Sequence, residues 1–343
     1  MSDPEIPISN QQVTYDAILP KAYTHMSEYL YPYFTPYSHY TYKLGNINNY
    51  SIGSILGSGK FSTVFKGTDG KHVYAMKVYK DVRPNYIRRE IFMHRALRKC
   101  QHIVQLHDVV RDPVSKSTTL LLEYHKSGNW KKFFPRMKIS DIKNFMYKLL
   151  LALDECHSHG IMHRDVKQQN ILYNPKTGDL HLGDLGLAEV YFPYHQYEVG
   201  IGTIRFMAPE ILMSYRFYNY AIDIWSAGVI LAEMIHEEPL FKGDYQLDIL
   251  RSISRVFTAS PLLEFADKIG FEVSTNLLNA LSSISIGQFD AILSRVRDEY
   301  KDDDLFDLLR LMLVIDPTYR ITARDALNHK FFDDFRKNKS NSK

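Results

Sequence analysis

Polar and apolar positions follow a strand-like pattern in the first third of the chain and a helical one after it. From Tyr50 to Leu122 short β-prone runs dominate: Thr63-Val64-Phe65, Val73 to Tyr79, and Thr118 to Leu122. Ile55-Leu56 lead into a glycine turn. One helix interrupts these strands. Between Tyr86 and Leu97, the residues Ile87, Glu90, Ile91, His94 and Leu97 share a face at spacings of three and four. After Gly128 the period is helical. Ile142, Phe145, Met146, Leu149, Leu150 and Leu153 form one apolar stripe, with Ser140 as the expected N-cap and Gly160 as the stop. Asp223 to Met234 is apolar almost all round, which predicts a buried helix, and further helical segments run to about Phe335.

The two ends differ from this body. Seven of the fourteen residues from Tyr29 to Tyr42 are aromatic, interleaved with Pro32 and Pro36. Proline blocks helix interiors, so residues 1–45 read as an extended arm, and its aromatics predict that it lies on a surface. Residues 336–343 are polar and basic and read as a disordered tail. The expected organisation is α+β: arm 1–45, a small β-rich lobe 46–125, a larger helical lobe 126–335, and the tail.

Composition narrows the class. The chain has 343 residues, 45% hydrophobic and 24% charged, which excludes a wholly disordered polymer. Its formal net charge of +3 argues against a polycation that binds nucleic acid through bulk charge. Two cysteines, Cys100 and Cys156, exclude a disulfide framework and point to a reducing compartment. No apolar run reaches the ~18 residues of a membrane span, and no secretory signal pattern opens the chain. The expectation is a soluble protein of the cytoplasm, the nucleus or both, with no membrane or nucleic-acid partner.

Candidate chemistry begins at Gly57-Ser58-Gly59-Lys60-Phe61-Ser62-Thr63-Val64. Glycines between strands let backbone N–H groups approach phosphate oxygens, although a plain hairpin turn has the same composition. Lys77 lies mid-strand in Ala75-Met76-Lys77, where a charge is costly unless paired, and Glu90 follows on the next helix. The two could be separate surface charges, or an ion pair holding Lys77 against nucleotide phosphates. Three further motifs follow in order: His163-Arg164-Asp165-Val166-Lys167-Gln168-Gln169-Asn170, Asp184-Leu185-Gly186, and Ala208-Pro209-Glu210.

This ordered set resembles the protein-kinase signature from about Tyr50 to Phe335. The resemblance implies a bilobal kinase fold that uses ATP and Mg²⁺, with GTP use left open. It implies Asp165 as the group that accepts the substrate hydroxyl proton, and Asn170 and Asp184 as metal ligands. Lys77 would neutralise phosphates, Glu90 would hold it, and Lys167 would contact the moving phosphoryl group. Lys167 and Thr203 imply serine/threonine substrates. Leu56, Val64, Ala75 and Leu172 would sandwich the adenine, and Leu122 is the gatekeeper position. Glu123, Tyr124 and His125 resemble the hinge. Glu210 would pair with Arg320, near Asp223.

A narrower resemblance is to the casein kinase II catalytic (alpha) subunit. It rests on the serine at the third glycine position, Arg111 to Ser115, Cys156 to Lys167, Leu187 to Tyr191, Asp223 to Ser226, Tyr245-Gln246-Leu247, and the aromatic arm. It implies a preference for acidic sites. It also implies a regulatory (beta) subunit on the small lobe that would complete a heterotetramer, for which Ile52, Phe65 and Val110 are either contacts or ordinary core. Several residues depart from that pattern. Leu185 replaces a tryptophan, and Gly183 replaces an isoleucine, which predicts a roomier back to the nucleotide pocket. The basic run before the helix is thinned to Lys80, Arg83, Arg88 and Arg89. The matching substrate-side positions Gly200, Ile204 and Met207 are uncharged, leaving Arg205 and Arg216 to compensate. Between Asp184 and Glu210 the sole serine or threonine is Thr203, which predicts activity without activation-loop Ser/Thr phosphorylation. The alternatives are a divergent Ser/Thr kinase without acidic preference, or a non-catalytic scaffold of the same fold.

Overall fold

The β-prone runs pair into one antiparallel sheet of β1 (Ser51–Ser58), β2 (Ser62–Thr68), β3 (Val73–Tyr79), β4 (Leu106–Arg111) and β5 (Thr118–Glu123), in the order β1-β2-β3-β5-β4. The computed structural model describes residues 18–282 and 287–340. The register sets Lys77 opposite Leu120 and Ala75 opposite Leu122. Before the sheet the arm carries a short helix, α1 (Met26–Leu30). After β3 comes α2 (Pro84–Ala96), whose first residue is a proline with φ already suited to a helix. Ile87 and Ile91 of α2 pack with Tyr79, Val104, Val109, Leu120 and Leu122 on the inner face of the sheet.

The outer face is largely closed by the chain itself. Tyr74, Met76, Val110 and Leu121 are buried there beneath Ile47, Tyr50 and Phe65. Val110 is core, not an exposed partner contact; Ile52, at 57% exposure, does face solvent.

The second region contains α3 (Trp130–Phe133), α4 (Ile139–Ser158), α5 (Pro209–Leu212), α6 (Ala221–His236) and later helices to Asp333–Ser340. Two small two-stranded antiparallel sheets belong to this region: β6 (Ile161–Met162) pairs with β9 (Glu189–Val190), and the hairpin of β7 (Ile171–Asn174) and β8 (Asp179–Leu182) lies between them in the chain. The apolar stripe of α4 is buried throughout, at about 1.5–3 kcal/mol for each large aliphatic side chain. Ser140 is not its cap. The helix starts at Ile139 with Lys138 at the cap position, two residues earlier than expected, and the Asp141 carboxylate accepts the Lys138 backbone N–H at 3.0 Å. Gly160 does end the helix, at φ +71°. Lys337 to Ser340, expected to be disordered, continue the last helix; residues 341–343 and 1–17 lie outside the described residues. No helix among the described residues is long and apolar enough to cross a membrane.

The described part of the arm lies on the body as its composition predicts. Tyr31, Phe34, Tyr37 and Tyr40 surround the Phe92 ring of α2, with centroids 5.4, 6.0, 5.7 and 5.3 Å away. Phe34 also meets Phe192, just after β9, at 5.2 Å.

Candidate active site

Between sheet and helices lies a cleft lined by Gly59, Lys60, Phe61, Lys77, Asp165 and Asp184, among others. Its volume of about 690 Å³ falls within the ~300–1,000 Å³ typical of small-molecule sites.

The roof is the β1–β2 hairpin. Gly59 donates its N–H to the Ser62 carbonyl at 2.9 Å, closing the turn. Leu56 and Phe61 are exposed at 45% and 59%, and Phe61 lines the cleft. Leu122 is buried in the inner core beside Ala75 and Leu172. Just after β5, the His125 imidazole stacks on His181 of β8 with centroids 3.6 Å apart, and its Nε2 lies 3.4 Å from Glu123. The room expected at Gly183 is taken up: a Cβ there would meet Val104 Cγ2 at 3.2 Å.

Lys77 and Glu90 are a buried pair at 2.7 Å, not two surface charges. Lys77 also reaches Asp184 at 2.7 Å. Burial pulls the Lys77 pKa down, but the two carboxylates outweigh it and the ammonium is held above its usual range. Burial raises the Asp184 carboxyl, and the Lys77 charge reverses this, giving about 2. Asp184 has φ +55°, a left-handed conformation costly for a side-chain-bearing residue; such strain persists where the surroundings impose it.

Asp165 is the centre of a second cluster. Its Oδ1 accepts the Thr203 hydroxyl at 2.9 Å, and its Oδ2 lies 2.7 Å from Lys167 Nζ. Lys167 also donates to Thr203 Oγ1 at 2.9 Å. Asn170 Nδ2 donates to the Asp165 carbonyl and to Oδ2, at 2.8 and 3.0 Å. That leaves the oxygen end of the Asn170 amide available to a cation. The loop is pinned from below by Asp223 at the start of α6. This buried carboxylate accepts the N–H groups of His163 and Arg164, each at 2.8 Å, and the His157 ring at 3.0 Å. His163 Nε2 bonds the Gly183 carbonyl at 2.9 Å, tying the loop to the strand end that carries Asp184.

Among the described residues no three His, Cys, Asp or Glu side chains converge as a closed metal cage. The oxygen donors of Asn170 and Asp184 fit a hard cation completed by phosphate and water, as Mg²⁺ prefers.

The Arg205 guanidinium is paired with Glu233 of α6 at 2.8 Å, and Gln168 donates to the other Glu233 oxygen at 2.7 Å. Glu189 is a residue to which the sequence motifs assign no role. It takes Arg89 at 3.2 Å, Arg164 at 3.3 Å and the Tyr37 hydroxyl. Its place three residues after Gly186 of the Asp184 motif was the available signal. Glu210 and Arg320 do form the expected bridge, at 2.7 and 3.0 Å.

A family model described as protein kinase domain matches residues 50–332, most of the chain. The sheet region, the ordered motifs and the helical region up to its last helix fall within that match, and the chain belongs to the protein kinase family.

Proposed function

We propose that the chain is a serine/threonine protein kinase, related to the casein kinase II catalytic subunit but with weakened preference for acidic sites. The observation that carries the reaction is the closed triangle of Asp165, Lys167 and Thr203, with sides of 2.7, 2.9 and 2.9 Å. A substrate hydroxyl entering there meets a carboxylate oriented by two donors. Asp165 can align that hydroxyl and accept its proton, and Lys167 can stabilise charge on the transferring group. Lys77 would bind nucleotide phosphates, held by Glu90. Leu56, Val64, Ala75, Leu122 and Leu172 would enclose the base, with hydrogen bonds from the Glu123–His125 backbone. When bound, Mg²⁺ neutralises phosphate charge; Asn170 and Asp184 would hold it.

Support for altered specificity comes from charge. Gly200, Ile204 and Met207 carry none, and Arg205 is committed to Glu233. A regulatory subunit on the small lobe remains a proposal; Ile52 is the exposed apolar residue it could cover.

The test is phosphate transfer from ATP by the purified chain to three peptides: serine followed by acidic residues, serine without them, and tyrosine. Asp184→Asn is the blank. Transfer to both serine peptides with less than about tenfold discrimination fits the proposal. Transfer to tyrosine alone, or no transfer to any peptide, overturns it.

A further inference from the structure

Glu90 is an ionisable group at 1% exposure, so each of its oxygens needs a partner. Oε1 accepts Lys77 at 2.7 Å. Oε2 accepts the hydroxyl of Tyr79 at 2.5 Å, within the range of a charge-assisted O–H···O⁻ bond. Tyr79 stands two residues after Lys77 on β3. Alternate residues of a strand face the same side, so lysine and phenol both project toward α2. The Lys77 ammonium lies 5.5 Å from the Tyr79 ring centroid. Tyr79 itself is buried, at 5% exposure, and burial followed by the Glu90 charge raises its hydroxyl pKa well above normal. It is therefore a neutral donor across the working pH range.

The other neighbours of Glu90 do not substitute for this bond. His94, one turn along α2, directs Nδ1 to the Val104 carbonyl at 3.1 Å; its Nε2 lies 3.9 Å from Glu90 Oε1, too far for a hydrogen bond. Gly186 leaves just enough space, since a Cβ there would meet Oε2 at 3.1 Å. Asp184, the other partner of Lys77, is also the proposed cation ligand. Glu90 is thus the carboxylate committed to Lys77, and Tyr79 fixes which way Glu90 points.

We propose that Tyr79 is a positioning residue for phosphoryl transfer: its hydroxyl locks the Glu90 carboxylate so that Lys77 is presented to the nucleotide phosphates. This rests on the kinase reading above. Tyr79→Phe keeps the ring, its packing and its contact with Lys77, and removes only the donor.

The experiment is a double-mutant cycle on the full chain with Tyr79→Phe, Glu90→Gln and the pair. The readouts are Kd for ADP, from displacement of a fluorescent nucleotide analogue, and KM for ATP in peptide phosphorylation. Thermal midpoints are recorded for all four proteins. Tyr79→Phe is expected to raise Kd and KM about tenfold, equivalent to about 1.4 kcal/mol. In the Glu90→Gln background the same change should add less than twofold, because the partner is already altered. Values within twofold of wild type for Tyr79→Phe, or an undiminished tenfold effect without the Glu90 carboxylate, overturn the proposal. The Kd arm needs no catalysis, so it reads the cycle even if Glu90→Gln abolishes turnover. A wild-type chain that binds no ADP and transfers no phosphate would instead overturn the kinase reading on which this rests.

Discussion

Tyr37, in the N-terminal arm, donates its hydroxyl to Glu189, the carboxylate that also holds Arg89 of α2 and Arg164 beside Asp165. One anion thus links the arm, α2, the loop that bears Asp165 and the start of the activation segment. In this segment Tyr191 and Tyr197 are buried, and the Tyr197 hydroxyl accepts the Phe192 N–H at 2.6 Å. The segment is held by its own aromatics and by the arm, and its sole serine or threonine, Thr203, has its hydroxyl engaged by Lys167 and Asp165. Deleting residues 1–45 is therefore expected to reduce kcat/KM for peptide at least tenfold. Tyr37→Phe should lose about two- to fivefold, while phosphatase treatment leaves activity unchanged. Steady-state rates on one serine peptide check all three.

A second expectation concerns stability. Arg320 lies fully buried over the Trp225 ring at 5.2 Å and makes two bonds to Glu210. It also donates to the carbonyls of Val314, Ala221 and Ile315. Removing one partner leaves the other charge buried and unpaired, at about 3–5 kcal/mol. Arg320→Met should lower the unfolding free energy read from urea denaturation by about that amount, and Glu210→Gln should lower it by less. The double variant should lose less than the sum, because with both partners replaced no lone charge stays buried.

Much of this architecture is legible in the sequence because periodicity reports burial directly. The stripe from Ile142 to Leu153 becomes the buried face of α4, and the strand run carrying Lys77 becomes β3. Motifs such as His163 to Asn170 are local, so their loop geometry travels with them. Contacts between distant segments are not legible in this way. Nothing near Arg205 in the chain shows that Glu233, on α6, will consume its charge. Nothing near Gly183 shows that Val104 will fill the adjoining space. Helix ends also depend on one hydrogen bond, which is why Asp141, and not Ser140, sets the start of α4.

The His125–His181 stack gives a pH dependence of fixed sign. Burial first, then the neighbouring His125 charge, depresses the His181 pKa from 6.5 to about 4. The facing groups are His125, Glu123, His102 and Asp179, of which the carboxylates oppose the shift. A base whose folded pKa lies below its unfolded value stays neutral in the fold. The stability this gives is present above pH 6.5 and is lost as pH falls toward 4. His181→Phe keeps a ring against His125 and removes one titration. Its thermal midpoint should fall less than that of wild type between pH 6.5 and 4, and match it more closely above pH 7. An identical pH profile for the two proteins would show that the stack does not contribute.

Substrate selectivity should be recoverable at the positions where charge is missing. Ile204 and Met207 flank Arg205 in the segment after Thr203, and both are partly exposed. Gly200 is a poorer choice although no atom would crowd a Cβ there, because its φ of +72° disfavours a side chain. Exposed ion pairs contribute about 0.2–1 kcal/mol each, so two new cations supply about 0.4–2 kcal/mol. That corresponds to about a two- to thirtyfold gain in kcat/KM for the acidic peptide over the neutral one. Ile204→Arg with Met207→Lys should show this gain at low ionic strength and lose much of it at 0.5 M salt, where screening is stronger. If the double variant gains equally on both peptides, these side chains act on the conformation of the segment and not on substrate charge. Freeing Arg205 by Glu233→Gln tests the same idea without adding charge to the segment. The released guanidinium should favour the acidic peptide by up to about fivefold, the value of one exposed pair.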